Sequence, residues 1–372
     1  MRMGIMSDTH FDRKNAMAHI MQEFRKRESE VVLHCGDIRK EHLSPELFLN
    51  FPVYCALNQE EAENPAFRVP PSNWRFTLPS NPTGDPANRI LDINGTRVYL
   101  GHKRAFDYLF GSERKLFEVI EAARRTHDGL RWYFSGHTHH QIYMQGKLTN
   151  FVNPGAVEGA LDGNYEFATI DTDTEEIVFS RILNTKPIIP DFSIGIVSDS
   201  LNISKMDPLF WGKLKNEFLR RGVGYVIHCG NIAKEDIGKE EMEPFTVFCN
   251  LRKDQEAPKY LPENWRVISK KNPVVEINGY RFYVQLDLGA KLLDLSEVDM
   301  GKLSARIRRT YPETTFALCG FTNNAFYEEG EEINIINPGD IRSDRNFCVL
   351  CLPRKEITFG HVPTEPLPAV AA

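Results

Sequence analysis

No stretch of this 372-residue chain is apolar for long enough to cross a bilayer as a helix, which takes about 20 residues. The opening Met1-Arg2-Met3-Gly4-Ile5-Met6 is too short an apolar run for a signal peptide. Excess positive charge is missing too. The formal net charge of −6 argues against a broad electrostatic grip on nucleic acid, although a local patch stays open. Cysteine is sparse, seven residues without dense spacing, which argues against a disulfide framework and fits a reducing compartment. What is present is 41% hydrophobic and 26% charged residues, the balance of a soluble globular protein, over a length suited to two domains. A cytoplasmic enzyme is the expectation these features set.

The order of short apolar runs carries the chemistry. Met3 to Met6 reads as a buried strand and stops at Ser7-Asp8-Thr9-His10. Residues 15–26 place Met17, Ile20, Met21 and Phe24 at helical spacing. Val31-Val32-Leu33 ends at His34-Cys35-Gly36-Asp37, and Val53 to Leu57 ends at Asn58. Ser44-Pro45 predicts a helix start, residues 60–88 a long loop with one short strand around Trp74, and Asn94-Gly95 a tight hairpin. The strand 97–100 ends at Gly101-His102, a helix follows over 112–125, and Trp132-Tyr133-Phe134 runs into Ser135-Gly136-His137-Thr138-His139. Antiparallel strands over 142–144 and 148–152 then lead to Asn153-Pro154-Gly155. In open α/β sheets, ligands gather at the carboxyl ends of strands.

Asp8, His10, Asp37, Asn58, His102, His137 and His139 supply carboxylate, amide oxygen and imidazole. That mixture suits two hard or borderline divalent ions rather than a cysteine-rich structural zinc. Manganese is the first choice, with iron, nickel or zinc as alternatives. Two ions about 3.5–4 Å apart serve phosphate-ester hydrolysis and need a shared carboxylate. Asp37 is the candidate bridge, because Gly36 lets the backbone pass close to the cluster.

The series Asp-x-His, Gly-Asp, Asn, His and Gly-His-x-His resembles the calcineurin-like metallophosphoesterases, and its spacing is similar to their small bacterial and archaeal phosphodiesterase branch. The resemblance covers residues 1 to about 183 and implies a four-layer α/β/β/α sandwich. It also implies that Asp8, His10 and His139 hold one metal and Asn58, His102 and His137 the other, bridged by Asp37. Residues expected to act at the phosphoester are Asp37, Asn58, His102, Lys103, Arg104 and His140. The chain departs from the family at Leu57-Asn58-Gln59-Glu60: a leucine replaces glycine, and Gln59 cannot act as a general acid. His140 is a candidate for that role, and Lys103 and Arg104 for holding phosphate oxygens.

The second half repeats the first. Gly195 to Asp199 answers Gly4 to Asp8, His228-Cys229-Gly230-Asn231 answers His34-Cys35-Gly36-Asp37, and Asn337-Pro338-Gly339 answers Asn153-Pro154-Gly155. The scaffold stays while the ligands go: Leu201 stands for His10, Asn231 for Asp37, Arg252 for Asn58, Leu286 for His102, Phe321 for His137 and Asn323 for His139. Of the seven, Asp199 alone survives. His34, Cys35 and Trp74 recur as His228, Cys229 and Trp265, so they read as structural. The expected domains are 1–186, catalytic, and 190–372, degenerate and metal-free, joined by a linker over 184–191.

The leading functional expectation is a metal-dependent phosphoesterase acting on phosphodiester or phosphomonoester bonds. Its alternatives are a non-catalytic interaction scaffold, as a retromer subunit of similar fold implies, and a nuclease. A phosphoester is the expected partner and a membrane is not; nucleic acid is not favoured. An intramolecular pseudo-dimer of the two copies is the expectation for why the second is kept.

Overall fold

The computed structural model describes residues 1–10, 16–43, 48, 51–78, 89–102, 120, 123–125, 127–160, 163–183, 190–251, 255–286, 300–320, 324–330 and 332–364. The chain divides into two compact units, Met1–Ile188 and Ile189–Ala372. The helix starts expected at Ser44 and Ser112 and most of the expected linker lie outside the described residues.

In the first unit, strands β1 (Arg2–Met6), β2 (Val31–His34), β3 (Val53–Ala56) and β4 (Trp74–Thr77) pair in parallel. Strands β10 (Tyr165–Asp171) and β11 (Glu176–Ile182) extend that sheet antiparallel to β1, in the order β11-β10-β1-β2-β3-β4. Helix α1 (Ala16–Lys26) buries Met17, Ile20, Met21 and Phe24 against it, as the spacing predicts. Full burial of such side chains contributes about 1.5–3 kcal/mol each. The close fit is visible at Gly4, where an added Cβ would lie 2.7 Å from the Phe24 ring. Truncation of Phe24 to alanine therefore costs about 3–5 kcal/mol.

A second sheet runs β8-β9-β7-β6-β5, from β5 (Ile90–Ile93), β6 (Thr96–Leu100), β7 (Leu130–Phe134), β8 (Gln141–Met144) and β9 (Asn150–Pro154). The β5–β6 turn has Asn94 and Gly95 at φ of 50° and 80°, the two left-handed residues a tight hairpin demands. One expectation needs correcting. Residues 60–88 are not all loop before the Trp74 strand, because Gln59–Glu63 forms helix α2. Its start signal is a capping box, in which Asn58 accepts the Glu61 N–H and Glu61 accepts the Asn58 N–H.

The second unit repeats this plan strand for strand. Strands β12 (Phe192–Val197), β13 (Val223–His228), β14 (Thr246–Cys249) and β15 (Trp265–Val267) stand for β1 to β4, with β21 (Asn346–Leu352) and β22 (Glu356–His361) completing the order β22-β21-β12-β13-β14-β15. Its other sheet runs β16-β17-β18-β20-β19, from β16 (Val274–Ile277), β17 (Tyr280–Gln285), β18 (Thr314–Cys319), β19 (Phe326–Glu328) and β20 (Asn334–Asn337). After the short helix α3 (Ile203–Met206), helix α4 (Phe210–Arg220) buries Trp211, Leu214 and Phe218 on the first sheet. Helix α5 (Met300–Thr310) sets Ile307 against Ala317, Cys319 and Ile335 of the second. All four layers of an α/β/β/α sandwich are thus described here. Register confirms the repeat: Cys55 pairs with His34, and Cys249 with His228. Trp74 and Trp265 are buried core residues, and Cys348 and Cys351 lie in β21 with free thiols.

Candidate metal centre

Strand ends of the first unit bring most of the expected ligands into one cluster. β1 delivers Asp8 and His10, β2 delivers Asp37, β6 delivers His102 and β7 delivers His137 and His139. Two triads have ligand atoms within 4.8 Å of one another: Asp8, His10 and His139, and Asp8, His102 and His137. The imidazoles pair accordingly, with ring centroids 5.0 Å apart for His10 and His139 and 4.9 Å for His102 and His137. The Nε2 atoms of His10 and His139 are 3.2 Å apart, which requires a shared proton or cation between their lone pairs.

Two carboxylates lie between the pairs. Asp8 Oδ1 is 3.4 Å from His139 Nε2 and 3.9 Å from His102 Nε2. Asp37 Oδ2 is 3.5 Å from His10 Nδ1 and 4.0 Å from His102 Nε2. Asp8 is wholly buried, and its Oδ2 accepts the His137 N–H at 3.0 Å. Its Oδ1 meets no donor at hydrogen-bond geometry. A buried carboxylate oxygen without a donor, ringed by imidazole nitrogens, is the donor set of a divalent cation. The residues fit the group their types imply.

The electrostatics agree. Burial opposes the charge on Asp8, yet the contacts with His139, His102 and Ser7 outweigh it and hold the carboxyl down at about 2. His139 is raised by the same contact with Asp8, against the effect of its burial. Ring orientation is fixed from behind: His102 Nδ1–H donates to the Cys35 carbonyl at 3.0 Å and His139 Nδ1–H to that of Gly159 at 3.2 Å. Each bond selects the tautomer that presents Nε2 to the cluster.

Backbone geometry is unusual at this point. Asp8, His10, Asp37, His137 and His139 all have φ between 35° and 75°, the left-handed region that costs a non-glycine residue of order 1–3 kcal/mol. Close approach explains the glycines beside them. A Cβ at Gly36 would lie 2.7 Å from His102 Cβ, and one at Gly136 would fall 1.9 Å from Ser7 Oγ.

Other expected site residues fall differently. Asn58 has its Oδ1 engaged by the Glu61 N–H at 2.9 Å, so it serves as the cap of α2. Lys103 and Arg104 lie outside the described residues. His140 is half-buried, with its N–H donated to Thr138 Oγ1 at 3.3 Å. His34 is structural: it is buried, its Nδ1 accepts the Gly36 N–H at 3.1 Å, and burial pushes it down to about 3.

Two residues escaped the sequence reading. Asn153, known from sequence only as a turn residue, donates to the Gly136 carbonyl at 3.1 Å and to Thr138 Oγ1 at 2.8 Å, pinning the loop of His137 and His139. Glu61 is buried and accepts the Ile38 N–H as well as that of Asn58. Burial, against those two bonds and with nearby Asp37 and Asp8 adding to it, raises its carboxyl to about 7. Its sequence signal was the capping box.

The domain of the calcineurin-like phosphoesterase superfamily matches residues 1–175. The N-terminal half belongs to that superfamily. Among solved structures, the chain is similar to a novel archaeal phosphodiesterase, at 18% identity and a TM-score of 0.35, over 49% of this chain and 100% of that one. It is similar to the Escherichia coli phosphoesterase Yfce at 18% identity and a TM-score of 0.31, over 51% and 97%. It is also similar to zinc-complexed Vps29 of Entamoeba histolytica at 14% identity and a TM-score of 0.34, over 50% and 95%. No curated protein matches. Residues 1–175 thus match a domain family of phosphoesterases. No helix among its described residues is long and apolar enough to cross a membrane.

Proposed function

We propose that residues 1–186 hydrolyse phosphoesters at a dinuclear metal site and that residues 190–372 are a degenerate, metal-free copy. The observation that carries this reading is Asp8 Oδ1, buried without a donor and approached by imidazoles from both histidine pairs. In it, Asp8, His10 and His139 hold one ion, and Asn58, His102 and His137 hold the other, the second lone pair of the Asn58 oxygen being left by its cap bond. Asp37, near His10 of one set and His102 of the other, is the proposed bridge, and Asp8 is a second shared carboxylate. When bound, such ions polarise the phosphoryl oxygens and raise the acidity of water, which supplies a nucleophile at neutral pH.

The chain's own residues do the rest. Asp8 and Asp37 supply the negative charge that two cations need. Cys35 and Gly159 carbonyls hold the Nδ1–H of His102 and His139, so that Nε2 is the nitrogen each ring turns toward the proposed ions. Gln59 offers no proton to a leaving group, and His140 is the residue proposed to do so; Lys103 and Arg104 are proposed to hold phosphate oxygens. The metal is proposed to be manganese and the compartment the cytoplasm.

The second copy favours another reading of itself. Asn231 Nδ2 donates to Asp199 Oδ1 at 2.9 Å and Ser198 Oγ donates to Oδ2 at 2.7 Å, so neutral donors occupy both oxygens of its one retained carboxylate. That supports a scaffold role for residues 190–372. The test of the whole proposal is a panel of phosphomonoesters, linear diesters and cyclic nucleotides assayed with Mn²⁺. Turnover of at least one, abolished by chelation and restored by Mn²⁺, is expected; a chain that binds Mn²⁺ but turns over none would leave the scaffold reading for both copies.

A further inference from the structure

Glu61 stands where two ligand-bearing loops meet. One carboxylate oxygen accepts the N–H of Ile38, directly after Asp37, at 2.6 Å, and the other accepts the N–H of Asn58 at 2.6 Å. The side chain is buried, and the Asn58 side chain returns a bond to the Glu61 N–H at 2.9 Å. A single group, twenty-three residues along the chain from Ile38, thus joins the loop after β2 to the loop after β3.

The duplicated half contains the control. With Cys55 matched to Cys249 by register, Glu61 corresponds to Gln255 and Ile38 to Ile232. Gln255 turns its amide nitrogen to the Ile232 carbonyl at 3.2 Å, which is the opposite polarity of bond to the same residue. The reason is chemical. A carboxylate accepts at two oxygens, whereas an amide accepts at one and donates at the other. Gln255 cannot accept one backbone N–H at each terminal atom of its side chain, and the loop after Asn231 is held through the Ile232 carbonyl instead. Acid at position 61 accompanies Asp37, and amide at 255 accompanies Asn231.

We propose that Glu61 is a positioning residue that sets Asp37 and Asn58 for metal binding, and that its replacement by Gln255 is part of what silenced the second copy. This rests on the metal site proposed above. Asp37 and Asn231 share a left-handed φ, 57° and 60°, so the bond to the Ile38 N–H is proposed to fix where the loop sits against the end of β3 rather than its backbone conformation. Residues that orient metal ligands from behind alter affinity or activity by about 10- to 100-fold when changed.

The experiment compares Glu61→Gln with the parent in the full chain. Mn²⁺ binding is measured by calorimetry on chelator-treated protein, thermal unfolding is measured in its absence, and hydrolysis of bis(p-nitrophenyl) phosphate is followed with Mn²⁺ present. The expected result is near-parent unfolding, since Gln255 is accommodated at the same place in the second copy, with Mn²⁺ affinity reduced about 10- to 100-fold and kcat lowered more than KM is raised. Unchanged Mn²⁺ affinity in a folded E61Q would overturn the proposal. Should E61Q unfold, Glu61→Asp, which keeps the charge but shortens the reach, takes its place; parent-like Mn²⁺ affinity in folded E61D, or unfolding of both variants, would assign Glu61 to the fold alone. A parent that binds Mn²⁺ without hydrolysis would sink the proposed activity and leave the affinity comparison able to decide on Glu61.

Discussion

Asp8 and Asp199 occupy the same turn with φ of 54° and 58°, yet they face opposite surroundings. Asp8 turns one buried oxygen toward imidazoles and finds no donor there; Asp199 has both oxygens bonded to neutral donors, the Ser198 hydroxyl and the Asn231 amide. Asn231 keeps a left-handed φ of 60° against 57° at Asp37. The strained backbone therefore belongs to the scaffold and persists where its ligands have been replaced. What distinguishes the copies is whether that backbone carries the carboxylate and imidazole groups or their replacements. Leu286 shows the same contrast: its side chain lies against Gly230 where the His102 ring lies against Gly36.

The largest expected effect comes from writing the second copy's amide into the first. Asp37→Asn should lower turnover of a phosphoester with Mn²⁺ by several orders of magnitude while leaving the melting temperature nearly unchanged, because Asn231 already sits in that turn. Asn231→Ala should leave the rate alone. Comparable rates for D37N and the parent would remove Asp37 from the role of bridge. Next comes stoichiometry: about two ions per chain are expected by metal analysis. Changing His137 and His139 together to alanine should abolish that binding, and ions retained in this variant would place metal in the second copy.

A smaller effect separates loop support from metal support. Asn153→Ala removes the bonds to Gly136 and Thr138 and should cost about 1–3 kcal/mol in urea unfolding while weakening Mn²⁺ binding. Asn337→Ala, at the equivalent turn, should destabilise its own unit and leave Mn²⁺ affinity as it was. Equal effects of the two variants on affinity would break the comparison.

The smallest effect is one the copies should share. His34 and His228 are both buried and held at about 3, burial being the main cause, against about 6.5 in an unfolded chain. The unfolded state then binds more protons, so this contribution to stability is complete above pH 6.5 and is lost as pH falls toward 3. The slope reaches at most about 1.4 kcal/mol per pH unit for each histidine. Urea unfolding of metal-free protein at pH 7, 6 and 5 should show the fall, and His228→Asn should flatten it for the second unit. A stability that stays level from pH 7 to 5 would contradict the buried neutral histidines.

Much of this was legible in residue order. Short apolar runs stop at strand ends, so Asp8, His10, Asp37, His102, His137 and His139 could be nominated from where those runs stop. The repeat was legible because its glycines, its Asn-Pro-Gly turn and its buried tryptophans survive the loss of the ligands. Asn58 shows the limit. Its place after β3 reads as a ligand position, and Asn58-x-x-Glu61 is also a helix start, whose cap bond only the structure shows.

The sequence by itself determined the ligand types, the architecture and the division between a ligand-rich and a ligand-poor copy, because strand periodicity and strand ends are local properties. Tertiary structure alone decided which nitrogen each imidazole presents, since the carbonyls of Cys35 and Gly159 that fix His102 and His139 lie 67 and 20 residues away in the chain. It also decided that Glu61 reaches Ile38 and that Asn153 pins the loop of His137 and His139. Such bonds depend on the distance between strand ends after the sheets have formed. No pattern of neighbouring residues encodes that distance, which is set by how the parallel strands of each sheet are ordered and how far each runs before its loop.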